Sequence, residues 1–215
     1  MEKSETYWSR FAADFDARNQ YVVGTKSIEI IRDALVQQRL SGDVLELGCG
    51  NGFYSREIAS SGCRLIASDY SDEMIESAAN RLQHIRNITV EKQNCFSLSF
   101  DNSRFDYMVM INLLHVIPEP EKALAECRRV LKTNGGLIVI SFTMEGMGLF
   151  QKIGLMFRYF RTYGKPPAAS RTLNLERARR LAENAGFKVT ESRLIGRHSK
   201  ALFIKAKHAD APFAG

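Results

Sequence analysis

Between residues 43 and 143, short runs of apolar and β-branched residues alternate with stretches whose apolar positions recur every three or four residues. The first pattern predicts strands and the second amphipathic helices. Strands are predicted over 44–47, 64–68, 88–92, 105–111 and 137–142, and helices over 52–61, 72–85 and 118–132. Runs such as Phe105-Asp106-Tyr107-Met108-Val109-Met110-Ile111 are too continuously apolar for a sheet wetted on one face, so a parallel sheet covered by helices on both faces is expected. Local signals set the boundaries: Ser71 is an N-cap candidate, Pro118-Glu119 opens a helix, and Asn134-Gly135-Gly136 supplies its stop.

Beyond residue 143 the pattern changes. Leu149, Phe150, Ile153, Met156, Phe157 and Phe160 share helical spacing, while Gln151, Lys152, Arg158 and Arg161 fall elsewhere around the same helix, predicting a basic amphipathic helix over 148–163. A further helix over 175–185 stops at Gly186, and strands over 187–193 and 201–207 leave no room for a crossover helix, which makes them an antiparallel hairpin. No window approaches a membrane-spanning length and no apolar stretch follows the charged start Met1-Glu2-Lys3-Ser4-Glu5, so a cytoplasmic protein is expected.

The chemistry concentrates where the first strand ends. Glu46-Leu47-Gly48-Cys49-Gly50-Asn51-Gly52 is a strand-to-helix loop with glycine at alternate positions, permitting a tight turn and close approach of a ligand. Asp69 closes the next strand, where a carboxylate can accept both hydroxyl hydrogens of a ribose. A dinucleotide loop would place glycine at residue 53, which is Phe53, so a nicotinamide-dependent oxidoreductase is disfavoured.

These residues carry a resemblance. Val44 to Gly52 resembles motif I of class I S-adenosylmethionine-dependent methyltransferases, and Ser68-Asp69-Tyr70-Ser71-Asp72-Glu73-Met74 its acidic second station. The segment 105–115 looks like the fourth strand and the turn after it, and Arg129-Val130-Leu131-Lys132-Thr133-Asn134-Gly135-Gly136 is similar to the stretch preceding the fifth, with Thr133 where proline is usual. The resemblance implies a doubly wound, Rossmann-like α/β fold: a seven-stranded sheet in the order 3-2-1-4-5-7-6 with one antiparallel strand and helices on both faces. It implies S-adenosyl-L-methionine as cofactor and S-adenosyl-L-homocysteine as product. Glu46 would organise the methionine amine through water, and Gly48, Cys49, Gly50 and Gly52 would form the cofactor loop. Asp69 would hold the ribose, Tyr70 and Met74 would pack on adenine, and Asn94, Cys95 and Phe96 would meet its edge, although Asn94 stands where an acidic residue is common. Asn112 and Leu113 would face the methionine end. Residues 7–16, with Tyr7, Trp8, Phe11 and Phe15, resemble aromatic N-terminal helices that fold over the cofactor in the small-molecule branch, which includes ubiquinone and menaquinone methyltransferases, and would put Tyr21 near the mouth.

The expected organisation is one domain over 1–208, with cover helices in 1–36, an acceptor-binding cover in 144–172 and a tail over 209–215. His115 is the candidate general base, weighed against a histidine that packs or lines the pocket, and His198 and Tyr163 are weaker candidates. Because a sulfonium is already an activated leaving group, in-line positioning of the nucleophile can supply much of the rate. Of the net charge of +6, residues 1–145 contribute 16 basic against 20 acidic residues and residues 146–215 contribute 14 against 4. That suits a nonpolar or anionic small-molecule acceptor, and keeps peripheral membrane contact through 148–163 as an alternative. An RNA or protein methyltransferase is the other enzymatic reading, although an Asn/Asp-Pro-Pro-Tyr/Phe motif and an RNA-binding module are both missing; a non-catalytic cofactor-binding or membrane-surface protein is the reading from another class. Cys49, Cys63, Cys95 and Cys127 have neither zinc-site nor disulfide-scaffold spacing and are taken as reduced thiols, and no metal is expected.

Overall fold

The computed structural model describes residues 7–196 and 200–208; the expected tail over 209–215, the charged start and His198 lie outside the described residues. Residues 7–9 are helical and lead through turns into α1 (Phe15–Val23) and α2 (Thr25–Val36). There follow β1 (Asp43–Leu47), α3 (Ser55–Ala59), β2 (Arg64–Asp69), α4 (Asp72–Leu82), β3 (Ile88–Lys92), β4 (Phe105–Ile111), α5 (Pro120–Val130), β5 (Leu131–Thr143), α6 (Leu149–Tyr163), α7 (Leu175–Asn184), β6 (Phe187–Ile195) and β7 (Lys200–His208). The seven strands form one sheet in the order β3-β2-β1-β4-β5-β7-β6. β1 to β5 pair in parallel, and β7 runs antiparallel to both β5 and β6.

The period-two alternation of the central strands separates two cores. Leu45, Leu47, Met108 and Met110 point to one face, where Ala123, Leu124 and Cys127 of α5 and Ala178, Leu181 and Ala182 of α7 cover them. Val44, Val109 and Ile111 point to the other, against Ile28, Ile31 and Leu35 of α2 and Ile58 of α3. Glu46 shares the strand face of Val44, so the fold carries a carboxylate into an apolar layer.

Three helices differ from the sequence reading by two residues or more. The helix expected from residue 52 is a turn through Tyr54 followed by the single short turn of α3, because the glycine loop uses the intervening residues to change direction. Helix α4 ends at Leu82 rather than residue 85. Helix α5 starts at Pro120 and ends at Val130, where Leu131 already adopts extended geometry, so Asn134-Gly135-Gly136 does not stop it. Those residues instead fill an irregularity inside β5: the pairing with β4 jumps from Phe105↔Leu131 to Tyr107↔Gly136. A side chain at Gly136 would lie 2.5 Å from the Tyr107 ring, so glycine there serves close approach of the two strands.

Candidate functional site

The carboxyl ends of β1, β2 and β4 open into a cavity of about 490 Å³. Its floor is the glycine loop and its roof is built from the N-terminal segment, α1 and α6. Its size falls within the range of small-molecule sites, roughly 300–1,000 Å³. Glu46, Gly48, Cys49, Gly50, Asp69, Tyr70, Met74, Asn94, Cys95, Phe96, Asn112, Leu113 and His115 all line it, so sequence positions from four strand ends meet at one place.

Gly48, Gly50 and Gly52 all have positive φ (71°, 56° and 76°), but their missing side chains serve different neighbours. A Cβ on Gly48 would lie 2.8 Å from Leu113 Cδ1, and one on Gly52 2.8 Å from Leu82 Cδ1. A Cβ on Gly50 would meet only Met74 Sδ, at 3.9 Å. Gly50 is therefore the glycine that keeps ligand space open, Gly48 admits the β4 turn, and Gly52 seats the loop on α4. Gly52 is the one residue of the predicted cofactor set that does not line the cavity.

Asp69 organises the loop. Its Oδ2 accepts from the Gly50 N–H (2.9 Å) and its Oδ1 from the N–H groups of Tyr70 and Ser71 (2.8 and 3.0 Å). Three of its roughly four lone-pair positions are thus committed to backbone, leaving one on Oδ2 for a ligand rather than the two open oxygens expected from sequence. Burial raises its pKa from the ordinary value, and the three N–H bonds oppose that shift. Ser71 caps α4 as expected, its hydroxyl accepting from the Met74 N–H at 3.2 Å.

Glu46 is 1% exposed. Ser55 Oγ donates to its Oε2 at 2.6 Å, and burial, reinforced by the charges of Asp69 and Glu57, pushes its pKa up to about 7 against the Ser55 bond. None of the ion pairs among the described residues involves Glu46 or Asp69. Two carboxylates therefore border the cavity outside any ion pair, an arrangement that favours a cationic ligand. On the roof side, the Nε1–H of Trp8, which lines the cavity, is buried without an acceptor among the described residues. A ligand carrying an ammonium and a carboxylate, as S-adenosylmethionine does, would satisfy both.

Residues 94–96, expected at the adenine edge, close a small loop of their own. Asn94 Oδ1 accepts from the Phe96 N–H at 3.0 Å, so its amide is oriented by the backbone. Burial pushes the Cys95 thiol up to about 12 and Cys49 well above its ordinary value, which leaves both as uncharged packing groups. Asn112 adopts φ 57°, which asparagine tolerates well, and its Oδ1 accepts from the Phe142 N–H at 2.8 Å. Its side chain thus ties the β4 turn to β5 as well as facing the cavity.

His115 Nδ1 lies 2.8 Å from Ser141 Oγ, and burial pushes the imidazole down to about 4. The Ser141 hydroxyl is also 3.4 Å from the Phe142 carbonyl oxygen. If it donates there and accepts from Nδ1–H, Nε2 is left as an acceptor. Such an imidazole is neutral near pH 7 and orients a hydrogen bond, but its pKa is poorly matched to a general base at that pH.

The end of the cavity under α6 is apolar, walled by Leu155, Met156, Tyr159, Phe160 and Tyr163 of α6 with Phe142, Met144 and Leu173. Two polar exceptions are adjacent: Arg171, whose N–H donates to the His115 carbonyl oxygen at 2.9 Å, and Ser170, whose buried hydroxyl has no partner among the described residues. Sequence reasoning singled out neither, nor Asn19, Val22 and Val23 of α1, which also line the cavity. No local pattern marks them, because long-range packing of α1 and α6 brings them there. Tyr21, expected near the mouth, is 51% exposed and does not line the cavity; its neighbour Val22 turns inward instead. Tyr163 is buried, accepts from the Tyr7 hydroxyl through its carbonyl at 2.8 Å, and is pushed far above the ordinary tyrosine range by burial. That makes it a wall residue, unsuited to proton transfer.

Residues 44–135 match the family described as a methyltransferase domain. The segment from β1 to the irregularity in β5 is thus similar to a methyltransferase domain, and the strand order is that of the class I fold. The carboxylate-lined strand ends described above fit S-adenosylmethionine as the cofactor of such a domain. Among curated relatives, a demethylmenaquinone methyltransferase of Clavibacter sepedonicus is 30% identical over 51% of this chain and 44% of its own length. A ubiquinone biosynthesis O-methyltransferase of Coxiella burnetii is 32% identical over 44% of this chain and 41% of its own. The chain thus matches less than half the length of these relatives. A solved S-adenosylmethionine-dependent methyltransferase of Thermotoga maritima shares the fold at 20% identity, with a TM-score of 0.73 over 95% of this chain and 99% of that one.

Proposed function

We propose that this chain methylates a small, largely apolar acceptor that presents a hydroxyl or acidic group at one end. The observation that carries this reading is the division of one cavity into two chemistries: unpaired carboxylates at the strand ends, and an aromatic wall interrupted by His115, Ser170 and Arg171. When bound, the cofactor supplies a methyl group on a sulfonium sulfur, which needs no further activation as a leaving group. The protein's own task is to position the acceptor and exclude water. Glu46 attracts the ammonium end, the Gly50 backbone leaves room beside Met74, Asp69 offers its remaining Oδ2 lone pair to a ribose hydroxyl, and Trp8 donates to a carboxylate. At the other end the α6 wall excludes water, and neutral His115 accepts a hydrogen bond from the acceptor's hydroxyl through Nε2. Arg171 is the only Lys or Arg among the described lining residues, which suits an acceptor with a partial or full negative charge. The names of the quinone-pathway relatives agree with an apolar, oxygen-bearing acceptor.

The test has two stages. Calorimetric titration with S-adenosylhomocysteine should give saturable binding. Labelled methyl transfer should then be measured across substituted phenols, hydroxyquinones with apolar side chains, and polar controls of equal size. Turnover confined to the apolar oxygen-bearing set is the expected result. Binding without turnover in any set, or turnover on polar controls only, would overturn the acceptor reading.

A further inference from the structure

Nine large hydrophobic side chains are exposed among the described residues, and six of them lie on α6: Leu149, Phe150, Ile153, Met156, Phe157 and Phe160. Phe150 is 88% exposed and Phe157 64%. At 3.6 residues per turn these six fall in one arc of ~120° along a helix ~22 Å long. The helix is not loose. Its other face is anchored by Arg158 Nε donating to the Val22 carbonyl (3.0 Å), Arg18 Nη1 donating to the Thr162 carbonyl (3.0 Å), and Leu155, Tyr159 and Tyr163 in the core. A rigid helix thus presents a continuous apolar stripe outward, and a monomeric protein seldom leaves such a stripe without a use.

We infer that the outer face of α6 seats on an anionic lipid surface. Charge selects this occupant. From Gly146 to Arg171 the chain holds five basic residues and no acidic one, and Lys152 and Arg161 fall on opposite edges of the apolar arc. A second copy would have to set the same basic edges against themselves in a two-fold contact, which repels, whereas an anionic headgroup layer attracts both edges at once. No helix among the described residues is long and apolar enough to cross a membrane, so α6 lies in the interface with its phenylalanines inserted. Met156 and Phe160 belong both to the stripe and to the cavity wall, so the lipid-facing side and the acceptor end share a rim. It follows, resting on the function proposed above, that an apolar acceptor enters from the bilayer across Met156 and Phe160 without crossing water.

The experiment is vesicle flotation of the full chain, with S-adenosylhomocysteine titration of the same samples as the control for folding. The vesicles are phosphatidylcholine alone and phosphatidylcholine mixed with phosphatidylglycerol. The parent should float with the mixed vesicles and much less with the neutral ones. Phe150→Ser combined with Phe157→Ser should weaken binding by roughly tenfold or more, since two inserted rings are lost. Lys152→Glu combined with Arg161→Glu should weaken it by at least about tenfold and remove the preference for phosphatidylglycerol. None of these four side chains lines the cavity, so S-adenosylhomocysteine affinity should stay unchanged throughout. A parent that does not float, or that floats equally well after both pairs of substitutions, overturns the inference. So does sedimentation showing a dimer that the phenylalanine pair dissociates, because the stripe would then be a subunit contact. Flotation by a parent that fails to bind S-adenosylhomocysteine would overturn the function proposed above and leave the lipid contact standing.

Discussion

The two halves of the cavity are built by opposite means. The strand-end half is made of backbone: Asp69 alone accepts three N–H groups, and Gly50 is left open by a missing side chain. The cover half is made of side chains: Tyr7 meets Trp8 and Phe11, and each of those two meets Tyr163, edge to face at 5.0–5.6 Å, and α6 completes the wall. Backbone geometry fixes a ligand by local chain direction, whereas an aromatic wall takes its shape from what packs behind it. The first half suits a ligand that never changes, and the second can vary with the acceptor at little cost to the fold.

The most severe test of this division is Asp69→Ala. It removes the acceptor for Gly50, Tyr70 and Ser71 at once, and affinity for S-adenosylhomocysteine should fall by about 100-fold or more, at ~1.5–3 kcal/mol per bond to a charged group. Calorimetry checks it, with circular dichroism confirming that the sheet persists. A fall below tenfold would mean that the loop holds itself.

Glu46→Gln should separate binding from stability. The variant keeps an acceptor for Ser55 but loses the charge, so cofactor affinity should drop by roughly ten- to thirtyfold. The apo protein should nevertheless become more stable. The folded pKa of about 7 lies above the ordinary 4.5, so the folded state holds the proton more tightly than the unfolded one. The wild-type chain therefore loses stability as pH rises from about 4.5 to about 7, by ~2–3 kcal/mol, and the uncharged amide of the variant escapes that loss. Denaturant titrations of both proteins at pH 5 and pH 8 measure the difference, which should appear only at the higher pH. For the same reason cofactor affinity of the parent should rise as pH climbs through about 7.

His115→Gln tests the acceptor half. Turnover should fall by about tenfold with cofactor affinity unchanged, as expected for a lost orienting hydrogen bond. Because burial holds the imidazole down to about 4, the parent's kcat should show no histidine inflection between pH 5 and 8. An inflection near 6.5 that vanishes in the variant would restore His115 as a general base.

The smallest effect is expected at the seam between the halves. Asp16 accepts from Asn51 Nδ2 at 2.7 Å and pairs with Arg81, latching the N-terminal cover to the glycine loop and α4. Asp16→Asn should speed cofactor release by about threefold to fivefold, the effect of losing a part-exposed ion pair worth ~1 kcal/mol or less. Stopped-flow measurement of release checks it.

Much of the strand-end half was legible because its signals are local. Alternate glycines, a carboxylate at the next strand end and a serine cap each act within a few residues, and the β-branched runs named the strands that carry them. Legibility failed where one local pattern had two physical uses. Asn134-Gly135-Gly136 resembles a helix stop, but it accommodates the Tyr107 ring; Gly52 belongs to a ligand motif, but it seats Leu82. Asp69 reads from the sequence as a carboxylate for a ribose, yet only the fold reveals how little of it remains after three backbone donors.

Which segments become strands, their burial on both faces, and the gathering of carboxylates at the strand ends were all written in the chain, because periodicity and turn chemistry are read over a few residues. Three-dimensional packing was needed to bring Asn19, Val22, Ser170 and Arg171 to the same cavity, to make His115 neutral near pH 7, and to turn the phenylalanines of α6 outward. These depend on burial and on contacts between residues distant in the chain, more than a hundred positions apart where α1 meets α6, and an amphipathic pattern names a helix's apolar face without naming what that face will meet.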